Sequence, residues 1–182
     1  MDKLIPGTRR CFTNADAFKS YKELIELTDG LSLSQVCSIS NLDPAVVQNW
    51  VKRGYVSRPI KKKYHEKQLA RILMINSLRG AMRIEDIGNL MRLINGDVED
   101  ESDDLLSEEE LFGTFSNVIY ELDDYGEVKK TIDSVLNKNK LSNEKLSIAL
   151  EIMVNAYIAS EHRKISRKYF KELEEYEKER KC

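Results

Sequence analysis

Ser32-Leu33-Ser34-Gln35, followed by Asn41-Leu42-Asp43-Pro44-Ala45-Val46-Val47-Gln48-Asn49-Trp50-Val51-Lys52-Arg53-Gly54-Tyr55, is the stretch on which the fold turns. Ser32 and Gln35 have the spacing of a capping box, in which hydroxyl and side-chain amide each satisfy a backbone donor at a helix start. A short helix through Cys37 is expected, then a connection over Ser38-Ile39-Ser40-Asn41. A second start follows, with Asp43 as N-cap, Pro44 at the first helical position, and Leu42 and Val47 spaced as a hydrophobic staple. Gly54 closes that helix.

The second helix separates into two sides. Val47, Trp50, Val51 and Gly54 share one at helical spacing, while Ala45, Gln48, Asn49 and Lys52 share the other. The first side is expected to pack, taking Trp50 into the core. On the second, Gln48 and Asn49 each offer a donor beside an acceptor, the pattern that matches an adenine edge in the major groove. Ala45 would accompany them against base edges, and Lys52 and Arg53 are placed to meet phosphates. Residues 44–53 therefore have the layout of a DNA recognition helix.

These residues resemble the MerR-like winged helix-turn-helix regulators, whose recognition segment reads roughly Gly-Val-Ser-Pro-x-x-Leu-x-x-Tyr-x-x-x-Gly-Leu. The spacing from Pro44 to Gly54 is kept, Tyr64-His65-Glu66-Lys67-Gln68-Leu69 is similar to the family's Tyr-Ser-x-x-x-Leu, and Ala81-Met82-Arg83-Ile84-Glu85-Asp86-Ile87 to its Gly-Phe-Ser-Leu-x-x-Ile. The resemblance covers about a third of the chain. The departures are Asn41 at the turn Gly, Gln48 where Arg is usual, and a wing between Val56 and Tyr64 that is several residues short and lacks the Gly-Tyr-Arg element. Asn tolerates the left-handed conformation, so the turn is expected to survive. The resemblance implies a DNA-binding regulator whose C-terminal helices join two subunits and, in many members, sense an effector. The chain is also similar to an uncharacterised bacterial family of unknown function that carries such a domain, and that likeness implies no activity.

Upstream, Phe18, Tyr21, Leu24 and Ile25 form a stripe that predicts an amphipathic helix from about Thr13 to Asp29, ending at Gly30 and bracing the unit that follows. Downstream, Arg58-Pro59-Ile60-Lys61-Lys62-Lys63-Tyr64 is long enough for a tight wing or an extended loop. Arg58, Lys61, Lys62 and Lys63 are expected to clamp phosphates, the alternative being a solvated basic loop. Two more helices should follow, carrying Leu69, Ile72, Leu73, Ile75 and Leu78, then Ile84, Ile87, Leu90, Met91 and Ile94, with a break near Gly80. They close the core over Leu33, Val36, Val47 and Trp50.

Few Gly and Pro among 182 residues, with abundant Leu, Ile, Glu and Lys, predict an all-α protein. The net charge of −2 hides an asymmetry. From Pro44 to Arg83 there are ten Lys or Arg, at 52, 53, 58, 61, 62, 63, 67, 71, 79 and 83, against one acid, Glu66. A local field of one sign concentrates polyanions whatever the total charge. Between Asp97 and Glu110 the sign inverts, with nine acids and no base. The expected organisation is a helix-turn-helix unit over 1–95, an acidic linker over 96–107, and a helical dimerisation or effector region over 108–182. The acidic run lacks the Asp-x-Asp-x-Asp-Gly pattern of a calcium loop, so a solvated linker is preferred to a metal site, and to a segment folded back as a mimic of DNA.

In the last region helices are expected from Glu108, with Ser107 at its start, to about Leu122, from Gly126 to Leu136, and from Ser142 towards the end. Leu146, Leu150, Met153, Tyr157, Ile158, Ile165, Tyr169, Leu173 and Tyr176 step mostly by three and four over a span that would approach ~60 Å as one helix. A pattern of that length predicts pairing between subunits, and a core helix with a frayed tail from Arg163 is the other reading.

No constellation for catalysis is present: His65 and His162 have no plausible partner set, and there is no phosphate loop, nucleophile elbow or paired Cys-x-x-Cys. Cys11, Cys37 and Cys182 are scattered, with Cys37 on the packing side of its helix, which fits a reducing cytoplasm rather than metal or redox sensing. No apolar run is long enough to cross a bilayer. The expectation is a cytoplasmic, non-enzymatic regulator, without metal or cofactor, that binds double-stranded DNA as a homodimer and leaves room for a small apolar effector between its C-terminal helices. The alternative is an adaptor whose basic face binds an acidic protein.

Overall fold

In the computed structural model, residues 3–12, 16–95 and 105–180 are described, and among them there are α-helices and isolated bridges but no strands. The helices are α1 (Lys19–Thr28), α2 (Leu33–Ser40), α3 (Pro44–Lys52), α4 (Glu66–Leu78), α5 (Ile84–Asn95), α6 (Glu108–Glu121), α7 (Val128–Lys138) and α8 (Glu144–Glu179), with a 3-10 turn at Tyr125–Glu127. The all-α expectation holds.

The arrangement follows from α4. Leu69, Ala70, Ile72, Leu73, Met74, Ile75 and Leu78 are all sealed from solvent, and a helix that is apolar nearly all round can only sit in the middle. Helices α1, α2, α5, α6 and α8 all pack on it, and α5 also meets α8. Leu111, Phe112, Phe115 and Val118 of α6 are wholly buried, and Phe112 meets Phe18, just before α1, edge-on at 5.5 Å. One core therefore runs from Ile5 to Tyr157. In α8 the stripe Leu146, Leu150, Met153, Val154 and Tyr157 is buried, whereas every residue from His162 to Arg180 is exposed. At ~1.5 Å per residue its 36 residues span about 54 Å, unbroken to Glu179, so the tail beyond Arg163 continues the helix.

Several boundaries differ from expectation. Helix α1 begins at Lys19, where the Asp16 carboxylate accepts the Lys19 N–H, and not near Thr13, which lies outside the described residues. Helix α2 runs on to Ser40 instead of stopping at Cys37, because the buried Ser40 hydroxyl donates back to the Val36 carbonyl and lets the last turn enter the core. Helix α8 starts slightly late, with the Asn143 side chain accepting from Leu146 N–H. Most of the expected linker, residues 96–104, lies outside the described residues, while Ser107 and Glu110 form a capping box at the start of α6. No described helix is long and apolar enough to cross a membrane.

Candidate nucleic-acid interface

The Ser32–Gln35 capping box is formed, with Ser32 N–H donating to Gln35 Oε1 at 2.8 Å. Helix α2 ends at Asn41, whose left-handed backbone (φ 54°, ψ 44°) turns the chain within three residues into α3. Leu42 and Val47 are buried on either side of the new start, as a staple requires, and Asp43 holds the N-cap position without a side-chain cap bond. Val47 and Trp50 bury one side of α3 in the core. Ala45, Gln48, Asn49 and Lys52 are exposed on the other, so the residues expected to face base edges share one solvent-facing ridge.

The segment after α3 makes a two-residue hairpin. Ile60 N–H donates to Lys63 O at 2.9 Å and Lys63 N–H to Ile60 O at 2.8 Å, closing a turn over Lys61 and Lys62, whose φ angles are 49° and 65°. Two successive left-handed residues are the signature of a type I′ turn, which usually takes Asn-Gly. Here two lysines occupy it, at a cost of roughly 1–2 kcal/mol each, and the conformation holds both ammonium groups in solvent. A single bridge between Leu31 and Tyr64 anchors the base of the turn to the start of α2.

The expected phosphate-contacting set divides. Lys52, Arg58, Lys61 and Lys62 are exposed, with no ion pair among the described residues. Lys63 is engaged within the fold, where its ammonium donates to the carbonyl oxygens of Thr28 and Gly30, both at 3.2 Å, neutralising the carbonyl end of α1. Arg53 lies 4.9 Å over the Tyr55 ring and donates to the Glu85 carboxylate at 2.8 Å. The Glu85 carboxyl is held below the usual carboxylate range by its own backbone N–H and then by the Arg53 guanidinium.

Two further cations of the basic stretch contact the fold, and of these only Arg71 is buried. Arg71 is buried on α4, where Nε donates to Tyr55 O at 3.1 Å and Nη1 pairs with the buried carboxylate of Glu108 at the start of α6. The sequence held a signal for this, since Arg71 is flanked on the helix by Leu69, Ala70, Ile72 and Leu73. Arg79 lies 5.7 Å over the Trp50 ring. Lys52 and Arg53 at the end of α3, Arg58, and Lys61 and Lys62 in the hairpin remain exposed, as do Arg79 and Arg83 further along the chain.

Cys37 is half-buried and Cys11 exposed, both as free thiols. Burial, aided by Asp43, pushes the Cys37 thiol pKa up and keeps it protonated. Burial likewise raises the Tyr64 and Tyr157 phenols. Among the described residues no cluster of His, Cys, Asp and Glu could hold a metal ion.

The family model described as "Domain of unknown function (DUF1836)" matches residues 21–115, a stretch that includes both Arg71 and Glu108. The chain is similar to "Uncharacterized protein YkrK" of Bacillus subtilis (strain 168), at 28% identity over 81 residues, which make up 42% of this chain and 35% of that protein. The chain thus spans about a third of that relative's length. No solved structure matches it.

Proposed function

The chain belongs to the DUF1836 family, whose description carries no activity, and we propose, on the strength of its own surface, that it is a sequence-specific DNA-binding regulator. The observation that carries the reading is that Ala45, Gln48, Asn49 and Lys52 are exposed together on one side of α3, with Arg58, Lys61 and Lys62 exposed in the segment that follows it. Helices α2 and α3 act as a helix-turn-helix of MerR-like type, and the hairpin Ile60–Lys63 serves as a minimal wing. In this arrangement Gln48 and Asn49 read base edges from the major groove, Ala45 allows close approach, and the cations bind phosphates. Phosphate binding supplies most of the affinity and all of its salt dependence.

Duplex fragments selected from random sequence, with affinities measured at several salt concentrations, test the reading. Gln48→Ala with Asn49→Ala should cut discrimination between selected and random duplexes at least about tenfold while leaving random-duplex affinity within a few-fold. Lys61→Glu with Lys62→Glu should weaken all duplexes together, and Lys61→Gln with Lys62→Gln should flatten the salt dependence by roughly 0.9 for each phosphate no longer neutralised. Failure of the unaltered chain to bind any duplex at moderate salt overturns the proposal. Binding to an acidic protein surface in its place would make the basic face that of an adaptor.

The exposed half of α8 supports assembly as a homodimer. At helical spacing Ile158, Ile165, Tyr169, Leu173 and Tyr176 lie along one side, and the last four are exposed. A second copy would cover them. Two recognition helices joined in this way would address half-sites separated by about one helical turn or a multiple of it.

A further inference from the structure

We propose that the cleft between the N-terminal loop, the end of α4 and the middle of α8 is a binding site for phosphate-bearing polyanions. It encloses about 560 Å³, and its walls carry Arg9, Arg79, Arg163, Lys164 and Arg167 against a single acid, Glu161. Glu161 already pairs with Lys164 at 2.6 Å. Four guanidinium groups therefore border one concavity without a carboxylate partner among the described residues. Arginine stays charged at any working pH, and its fork of N–H donors matches phosphate oxygens. Mutual repulsion among charges gathered in a concave, partly desolvated space is relieved when an anion enters. Burial of Arg79 lowers its pKa, as befits a cation short of counter-charge.

The walls are fixed before any ligand arrives. A Cβ on Gly80 would come within 2.0 Å of Ser160 Oγ, so the end of α4 and α8 touch directly. Gly7 has φ +74°, and a Cβ there would lie 2.2 Å from the Leu73 carbonyl oxygen, which presses the N-terminal loop against α4. Asn76 Nδ2 donates to both Gly7 O and Ser40 O at 2.8 Å, joining that loop and the end of α2 to the same helix. Two of the four arginines are positioned as well. Arg163 donates to Gly80 O at 2.7 Å, and Arg79 lies over Trp50 with Nε donating to Asn76 Oδ1 at 3.0 Å. Each keeps further N–H groups for a ligand. A preorganised charged site loses less on binding than one that must assemble.

The fitting ligand carries two or three linked phosphates, from a small molecule or from successive positions of a nucleic-acid backbone. None of Ala45, Gln48, Asn49, Lys61 or Lys62 borders the cleft, so the site is separate from the ridge proposed to read DNA. Titration calorimetry of the full chain with sodium tripolyphosphate, beside sodium sulfate at matched ionic strength, tests it. The expected result is saturable binding of one tripolyphosphate per chain. Arg9→Gln with Arg167→Gln, both exposed positions, should weaken it about tenfold or more. Lys140→Gln with Lys145→Gln, an equal charge change elsewhere, should leave it unaltered, as should Gln48→Ala with Asn49→Ala. No saturable binding, equal binding of sulfate, or no effect of the arginine changes in a variant with wild-type circular dichroism overturns the proposal, whatever a duplex does. The source is then read from a duplex. Loss of duplex affinity in the arginine variant, with competition by tripolyphosphate, assigns the site to backbone phosphates, and unchanged duplex affinity assigns it to a small molecule.

Discussion

Arg71 and Glu108 meet with side chains only 5% and 3% exposed, so their pairing sets how the N-terminal helices sit on α6. Removing the Glu108 charge strands the Arg71 guanidinium in the core. Glu108→Gln should cost about 3 kcal/mol or more in urea denaturation, whereas Arg71→Met with Glu108→Leu should lose much less. If the single change were as mild as the double, the pair would not be the joint proposed. A second residue-scale expectation concerns Glu85, whose carboxyl is held down first by its own backbone N–H and then by Arg53. A depressed carboxylate keeps its partner above the ordinary carboxylate range and releases it as pH falls through the lowered pKa. The Glu85 side-chain carbon, followed by NMR, should titrate below the usual value of about 4.3 and move back towards it in Arg53→Gln. Both pairs show the limit of reading charge from sequence. Arg53 and Arg71 fall within the basic stretch, yet each has an acid supplied from another helix, at a separation that no local pattern encodes.

At the scale of elements, the signals that the sequence carried best were local. The Ser32–Gln35 and Ser107–Glu110 boxes, Pro44 at the first helical position, Asn41 in the turn and Gly54 after α3 each depend on neighbours within a few residues, and each is found where its pattern placed it. Ser32→Ala should accordingly lower stability by about 1 kcal/mol in the same denaturation measurement. The hairpin was less legible, because nothing in Lys61-Lys62 announces a left-handed pair; the turn is imposed by the bonds between Ile60 and Lys63 and by Lys63 reaching the end of α1. Replacing Lys61-Lys62 with Asn-Gly should therefore raise stability by roughly 1–3 kcal/mol, since it relieves both positions. The same variant should bind every duplex more weakly. Stability rising as affinity falls would separate the turn's strain from its charge, and a loss of both would mean that the lysines support the fold.

Across the whole molecule, one core unites the N-terminal helices with α6, α7 and the first half of α8, and what projects from it is the exposed half of α8, held at its root by Arg163 donating to Gly80 O. The exposed half of α8 is arranged unfavourably for a lone helix. From Arg163 to Lys171 there are five bases and no acid, and from Glu172 to Glu179 five acids and one base, so the acids stand at the end where the helix dipole favours cations. A second copy laid antiparallel over the Ile165–Tyr176 stripe would set each acidic block beside the other's basic block and cover the apolar side together. Arg163 and Arg167 would remain on the opposite side, bordering the cleft. Glu174→Lys, Glu175→Lys and Glu177→Lys together should shift sedimentation from a dimer towards the 21.1 kDa monomer, and Lys168→Glu with Lys171→Glu should do the same. Mixing the two variants should restore a dimer, because the reversed charges now complement each other. A wild-type chain that sediments as a monomer at every concentration, or reversed variants that never recombine, would leave the α8 stripe to a different partner.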